Sequence, residues 1–130
     1  MGLDMDLYSI KKGMDITKID NYQTEEVMYW RKANQIRQWF IDHLDEPVKN
    51  CEYVRVPKEK LEELLQTCRT VLNEKSRAEE LLPTSSGFFF GSTEYDERYF
   101  DEIWDTAKEI EKLLKEINWS EQDILYMEWW

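Results

Sequence analysis

The sequence predicts a small α+β protein, in which an antiparallel or mixed sheet of short strands packs against about three helices. Three observations predict this class, and the first two are patterns: apolar and polar residues alternate near both ends of the chain, and apolar stripes at helical spacing lie between them. The third is size, since 130 residues suit one domain, 1–130, and an aromatic content of 14% indicates a folded core. An all-helical bundle is the alternative.

Four short segments have the pattern of strands. Alternation from Leu3 to Tyr8 is typical of a half-buried strand, and Val27 to Trp30 repeats the pattern. A helix capped by Thr24 would explain the second segment equally, although we favour a strand. Tyr53 to Val56 is a short apolar run, and Ile124 to Trp129 alternates again. With the rest of the chain, these segments predict four or five short strands.

Three segments have the pattern of helices. Their apolar stripes are Ala33, Ile36, Phe40 and Leu44; Leu61, Leu64, Leu65, Cys68, Val71 and Leu72; and Tyr99, Ile103, Ala107, Ile110, Leu114 and Ile117. The first helix is predicted to begin at Arg31 and the second at Pro57, while Thr93 and Asp96 resemble a capping box for the third. Because Cys68 lies on a stripe, we expect it to be buried and unreactive.

The charge of the chain is strongly negative. Seventeen basic and 28 acidic residues give a net charge of −11, which disfavours direct binding to duplex DNA or to an anionic membrane. The acidic residues either form solvated helix faces or dock on a basic, nucleic-acid-binding protein. No signal-peptide pattern, membrane-span pattern or cysteine framework is apparent, so we expect a reducing cytoplasm and no membrane.

Several blocks of the sequence resemble a known family. They are MGLDMDLY at the start, Tyr29–Asn34 with Trp39–Phe40, and Leu81–Thr84 leading into Gly87–Asp96. In this order they are similar to a family of small proteins of tailed phages and prophages, although Asp6 stands where that family typically has Tyr, and Arg37 where His is expected. The resemblance implies a phage-encoded accessory protein that acts in the cytoplasm of a bacterial host cell. It implies no enzymatic activity and no catalytic residue.

One hypothesis for function is a binding site for a small, nucleotide-like ligand. Amides at a helix start and nearby hydroxyls can bind phosphate, and aromatic faces can stack on a base. The predicted ligand-binding residues are Arg31, Lys32, Asn34, Phe88, Phe89, Phe90, Ser92 and Thr93. The competing interpretation is that the three Phe residues form a buried strand between two glycine turns. Glu94 and Asp96, predicted to lie in the first helical turn, also disfavour a phosphate there.

The leading hypothesis is a protein-binding surface. Asp101, Asp105 and Glu109 repeat every four residues opposite the apolar stripe, so they should face solvent as a like-charged row. We expect one of the terminal residues Trp129 and Trp130 to be buried and the other exposed, contributing to the interface. The sequence therefore predicts a non-enzymatic protein that binds and modulates a basic host factor, such as a component of a bacterial defence system; its oligomeric state is not indicated.

An enzyme is the least favoured hypothesis. His43 is the only histidine, and the chain contains no GxSxG nucleophile elbow and no CxxC spacing. We therefore predict no catalytic residue, metal ligand or cofactor, and interpret His43 as a surface residue near the end of a helix.

Overall fold

The computed structural model describes residues 2–87 and 90–130, which form an antiparallel sheet and four α-helices. The strands are β1 (Asp4–Lys11), β2 (Glu25–Arg31), β3 (Val54–Arg55) and β4 (Gln122–Trp129). The helices are α1 (Asn34–His43), α2 (Lys58–Asn73), α3 (Ala78–Leu81) and α4 (Glu97–Glu116). The predicted α+β class is confirmed. The all-helical alternative is wrong, because both ends of the chain pair in the sheet.

The strand order is β2-β1-β4-β3, so the first and last strands of the chain lie together at the centre of the sheet. β1 and β4 pair along their whole lengths, from Asp4 opposite Trp129 to Lys11 opposite Gln122. The residues from Val27 to Trp30 form a strand, as favoured, and not a helix. Among the described strands, β2 therefore lies at one edge of the sheet, with β1 as its neighbour.

The helices cover one face of the sheet. Phe40 of α1 stacks on Tyr126 of β4 with ring centroids 4.3 Å apart. The indole of Trp30 in β2 donates a hydrogen bond to Thr106 of α4 over 2.9 Å. α2 packs against α4, where Arg69 and Glu111 form an ion pair of 3.0 Å. The apolar stripes of the three predicted helices form one core with the covered face of the sheet.

Two helices begin later than the sequence predicts. α1 begins at Asn34 and not at Arg31, because Arg31 ends β2 and Lys32 has a left-handed backbone with φ of +58°. A residue with that φ cannot continue either a strand or a right-handed helix. α4 is capped by Asp96, whose carboxylate accepts a 3.1 Å hydrogen bond from the Tyr99 amide. The predicted capping box of Thr93 is therefore wrong.

The predicted strand across the three phenylalanines is also not found in the described residues. Phe88 and Phe89 lie outside them, so a role for either stays a prediction. Phe90 is buried, but the flanking residues 84–87 and 91–95 form irregular backbone and no strand. In the described part of the chain, no helix combines the length and the apolar character needed to cross a bilayer.

Candidate functional site

The outer face of α4 combines acidic residues with an exposed tryptophan. Asp101, Asp105 and Glu109 are exposed, as predicted, and form no ion pair with any other described residue. Trp104 is 60% exposed and lies one helical turn after Asp101, at the side of the acidic row. Sequence reasoning did not include Trp104 among the candidate interface residues. The available signal was a large aromatic residue among charged positions of an amphipathic helix.

An open cleft of about 640 Å³ lies between the end of β2 and the first half of α4. It brings together residues that the sequence assigned to two separate sites. Arg31, Lys32 and Ser92 come from the predicted ligand site, and Asp101 and Asp105 come from the predicted protein interface. The structure therefore joins these two parts of the surface.

The electrostatics of this cleft favour a cationic guest. Five acidic side chains line it against three basic ones, Arg31, Lys32 and Arg98. Burial, and secondarily the nearby Asp105 carboxylate, raise the pKa of Glu102 above its usual value. A pKa raised in this way means that the ionised carboxylate is insufficiently compensated by positive charge. A guanidinium or ammonium group entering the cleft would supply that charge.

A second, smaller cleft of about 330 Å³ lies between the start of β2 and the second half of α4. Its lining includes four acidic side chains, Glu25, Glu26, Glu109 and Glu116, against one basic side chain, Lys112. The two clefts thus lie at opposite ends of β2, with α4 running antiparallel to the strand. We call the pair of clefts, together with the strand edge between them, the acidic trough.

Asn34 holds the segment after α3 against the start of α1. Its amide nitrogen donates to the carbonyl oxygens of Phe90 and Ser92 over 3.1 Å and 3.0 Å, and its oxygen accepts from the Ser85 amide over 2.9 Å. Gly91 permits the close approach, since a Cβ atom there would lie 2.9 Å from the Lys32 carbonyl oxygen. The Asn34 amide is buried and its donors are used within the chain, which gives it a structural role.

Phe90 belongs to a second group of contacts at the end of β4. The Arg37 guanidinium lies 4.8 Å from the centre of the Phe90 ring, and its Nε donates to the Glu128 carboxylate over 2.8 Å. Glu128 is buried and also accepts from Tyr126 Oη over 3.1 Å and from Trp130 Nε1 over 2.7 Å. Three donors satisfy the buried Glu128 carboxylate, so this hydrogen-bond network fixes the end of β4 in one conformation. Sequence reasoning missed Glu128, because its charged partner, Arg37, is 91 residues away in the chain.

The terminal tryptophans are both exposed and have different hydrogen-bond partners. Trp129 and Trp130 are 47% and 51% exposed, so the expectation that one would be buried is wrong. The indole of Trp129 donates to Asp6 on the face of the sheet opposite the helices, whereas Trp130 pairs its backbone with Asn50. Trp129 therefore lies on the opposite face of the sheet from Asp101, Asp105 and Glu109 and cannot form one continuous surface with them.

The remaining candidate residues have local structural contacts. The His43 ring stacks on Trp39 with centroids 4.3 Å apart and lies at the end of α1. The Thr93 carbonyl accepts from Thr84 Oγ1 over 3.0 Å. Cys68 is buried, as predicted, and burial raises the pKa of its thiol to about 12. Among the described residues, no group of three His, Cys, Asp or Glu side chains could hold a metal ion.

No protein-family model matches the chain, and no curated protein or solved structure is significantly similar to it. The geometry of the chain is therefore the basis for the functional proposals that follow.

Proposed function

We propose that the protein is a binding module that docks on a basic surface of a host protein and modulates it, as a phage accessory protein in the bacterial cytoplasm would. The observation that carries the proposal is the outer face of α4, where exposed Trp104 lies one turn after Asp101, at the side of a row of carboxylates that form no ion pair with any described residue. An exposed aromatic residue supplies desolvation energy on contact, and the surrounding charge steers a basic partner toward it. Inhibition of a defence system is one setting that such a module fits.

The acidic row also has an energetic argument in its favour. Like charges at a spacing of four residues destabilise a helix, and the Asp101, Asp105 and Glu109 side chains have no described counter-ion. A basic partner would remove that repulsion when it binds. Binding therefore gains electrostatic energy that the free protein lacks.

A pull-down from host lysate with mass spectrometry tests this proposal. The triple variant Asp101→Lys, Asp105→Lys, Glu109→Lys should lose a basic protein that the wild type retains. The matched control carries the same charge change at exposed residues of the loop between α1 and β3: Asp45→Lys, Glu46→Lys and Glu52→Lys. Equal recovery of that protein by the wild type and both variants would refute the proposal.

A small phosphorylated ligand is a second candidate, because Arg31, Lys32 and Ser92 line one cleft. The five acidic side chains in the same cleft weigh against it, since they repel phosphate. A ligand at about a hundred times its Kd stabilises a protein by roughly 2.7 kcal/mol. A thermal-shift screen with nucleotides measures this effect, and we expect no shift; a clear shift that Arg31→Ala abolishes would favour the ligand hypothesis instead.

A further inference from the structure

The outer edge of β2 is available for strand pairing. The Lys32 amide donates to the Leu3 carbonyl over 2.7 Å, and hydrogen-bonded partners alternate along an antiparallel ladder. The backbone groups of Trp30 therefore point toward β1, and those of Tyr29 and Arg31 point away from it. Neither Tyr29 nor Arg31 has a backbone hydrogen bond outside the ladder among the described residues. Exposed edges of this kind are templates for an added strand.

The surroundings of this edge have a definite chemistry. The acidic trough lies alongside β2, with carboxylates such as Glu25 and Glu109 at one end and Glu102 and Asp105 at the other. A strand laid along β2 would direct alternate side chains toward α4. Lysine or arginine at those positions would reach the carboxylates of both clefts, whereas acidic residues would be repelled.

We propose that the occupant of the acidic trough is an extended, basic segment of the partner protein, which pairs with β2 as a fifth strand of the sheet. Main-chain hydrogen bonds to Tyr29 and Arg31 would supply affinity, and the carboxylates of α4 would select basic side chains. This inference rests on the proposed function, because it specifies which part of a basic partner the acidic face binds.

A synthetic peptide provides a direct probe. A fluorescein-labelled octapeptide of alternating Lys and Val has the basic, extended character required, and the same peptide N-methylated at every backbone amide can donate no main-chain hydrogen bond to that edge. In NMR amide exchange, the unmethylated peptide should slow exchange of the Tyr29 and Arg31 amides. The methylated peptide should leave both unchanged. Binding of the two peptides with equal affinity and without slowed exchange would overturn the proposal.

A matched pair of variants tests the main-chain contact. Tyr29→Pro removes an amide that points away from β1, which an edge strand tolerates. Tyr29→Thr loses the same side-chain contact with Asp4 but keeps the amide. The proline variant should bind the Lys-Val peptide roughly tenfold more weakly than the threonine variant, because a main-chain hydrogen bond is lost and the ring obstructs pairing. Equal affinities of two folded variants would overturn strand addition.

The outcomes separate this inference from the function on which it rests. If charge reversal on α4 abolishes capture of the host protein while Tyr29→Pro does not affect peptide binding, docking stands and strand addition fails. If charge reversal does not affect capture, both fail. If the Tyr29 and Arg31 amides become protected without peptide as protein concentration rises, the occupant is a second copy of the chain, and the proposal of a basic partner segment is wrong.

Discussion

The Asn34 side chain connects two segments that are far apart in the chain. Its three hydrogen bonds hold Ser85, Phe90 and Ser92 beside the end of β2, and so position Ser92 and Gly91 at the wall of the cleft. A buried amide with all these partners is a strong local constraint, because each partner would otherwise be unsatisfied. The shape of the cleft therefore depends on one residue that need not contact any guest.

Replacing Asn34 tests this role. Asn34→Ala leaves two carbonyl groups and one amide without their partner, so we expect the free energy of unfolding to fall by about 2–3 kcal/mol. Ser86→Ala, at an exposed position of the same segment, is the control and should change stability little. Urea denaturation measures both values. A change of less than about 0.5 kcal/mol for Asn34→Ala would contradict the role assigned to it.

Asp6 predicts a pH dependence of stability. Burial, together with the nearby Glu26 carboxyl, raises the pKa of Asp6 from 3.8 to about 7. Between these two values the folded state binds more protons at Asp6 than the unfolded state does, so this contribution to stability is greatest at low pH and is lost as the pH rises through the window. Asp6→Asn removes the titrating group while keeping a polar side chain of similar size.

Urea denaturation at about pH 5 and about pH 8 checks this sign. Other carboxyl groups, such as that of Glu111, have a lowered pKa and act in the opposite direction, so the comparison with Asp6→Asn isolates the effect. Relative to Asp6→Asn, the wild type should lose stability as the pH rises. A wild type that gains stability relative to Asp6→Asn over this range would contradict the assignment.

At the scale of single residues, the sequence predicted burial much better than polar contacts. Cys68 and the apolar stripes are buried because their spacing alone defines the inner face of a helix. The partners of Asn34, Arg37 and Glu128 lie up to 91 residues away in the chain, and no local pattern encodes such a pairing. Asn34, which the sequence predicted as a ligand-binding residue, uses its side-chain amide for hydrogen bonds within the chain.

Among the elements, α4 has the most regular sequence pattern and the least favourable surface charge. Its stripe buries Tyr99, Ile103 and Ala107 against the core, while its outer face keeps Asp101, Asp105 and Glu109 at a repulsive spacing. If the row serves binding, then removing the repulsion should stabilise the free protein and weaken the complex.

Asp105→Lys tests this trade-off. The new lysine would lie four residues from both Asp101 and Glu109, replacing two repulsive pairs with two attractive ones, so we expect a gain of roughly 1 kcal/mol in the free energy of unfolding. Asp105→Asn removes the repulsion only and should give about half of that gain. Urea denaturation at low salt measures it, and the gain should shrink at high salt. Destabilisation by both variants would contradict the assignment of Asp105 to a solvated, repulsive row.

The existence of most elements was predictable, but their boundaries were not. The alternation from Val27 to Trp30 predicted β2, because strand packing requires period two. The left-handed backbone of Lys32 separates β2 from α1, and the sequence does not show it because lysine has no special preference for that conformation. Arg31 and Lys32, predicted to open a helix, therefore lie at the end of β2 and in the bend that follows it, beside the cleft.

On the scale of the whole molecule, the topology decides which predicted surfaces can work together. Arg31, Ser92 and Asp105 line the same cleft because α4 packs beside β2. Residues from two separately predicted sites therefore lie in one cleft. Trp129 lies on the other face of the sheet, so the predicted interface divides into two surfaces. Strand order and helix placement depend on contacts between segments that are far apart in the chain. The periodicity of a single segment therefore cannot predict them.

The most direct test of the central claim is a fluorescence-anisotropy titration of the Lys-Val peptide, compared with a peptide of alternating Glu and Val, at low and high salt. If the acidic trough binds basic segments, the Lys-Val peptide should bind, its affinity should fall as salt rises, and the Glu-Val peptide should not bind. Equal affinity for both peptides, or an affinity for Lys-Val that is independent of salt, would contradict the claim.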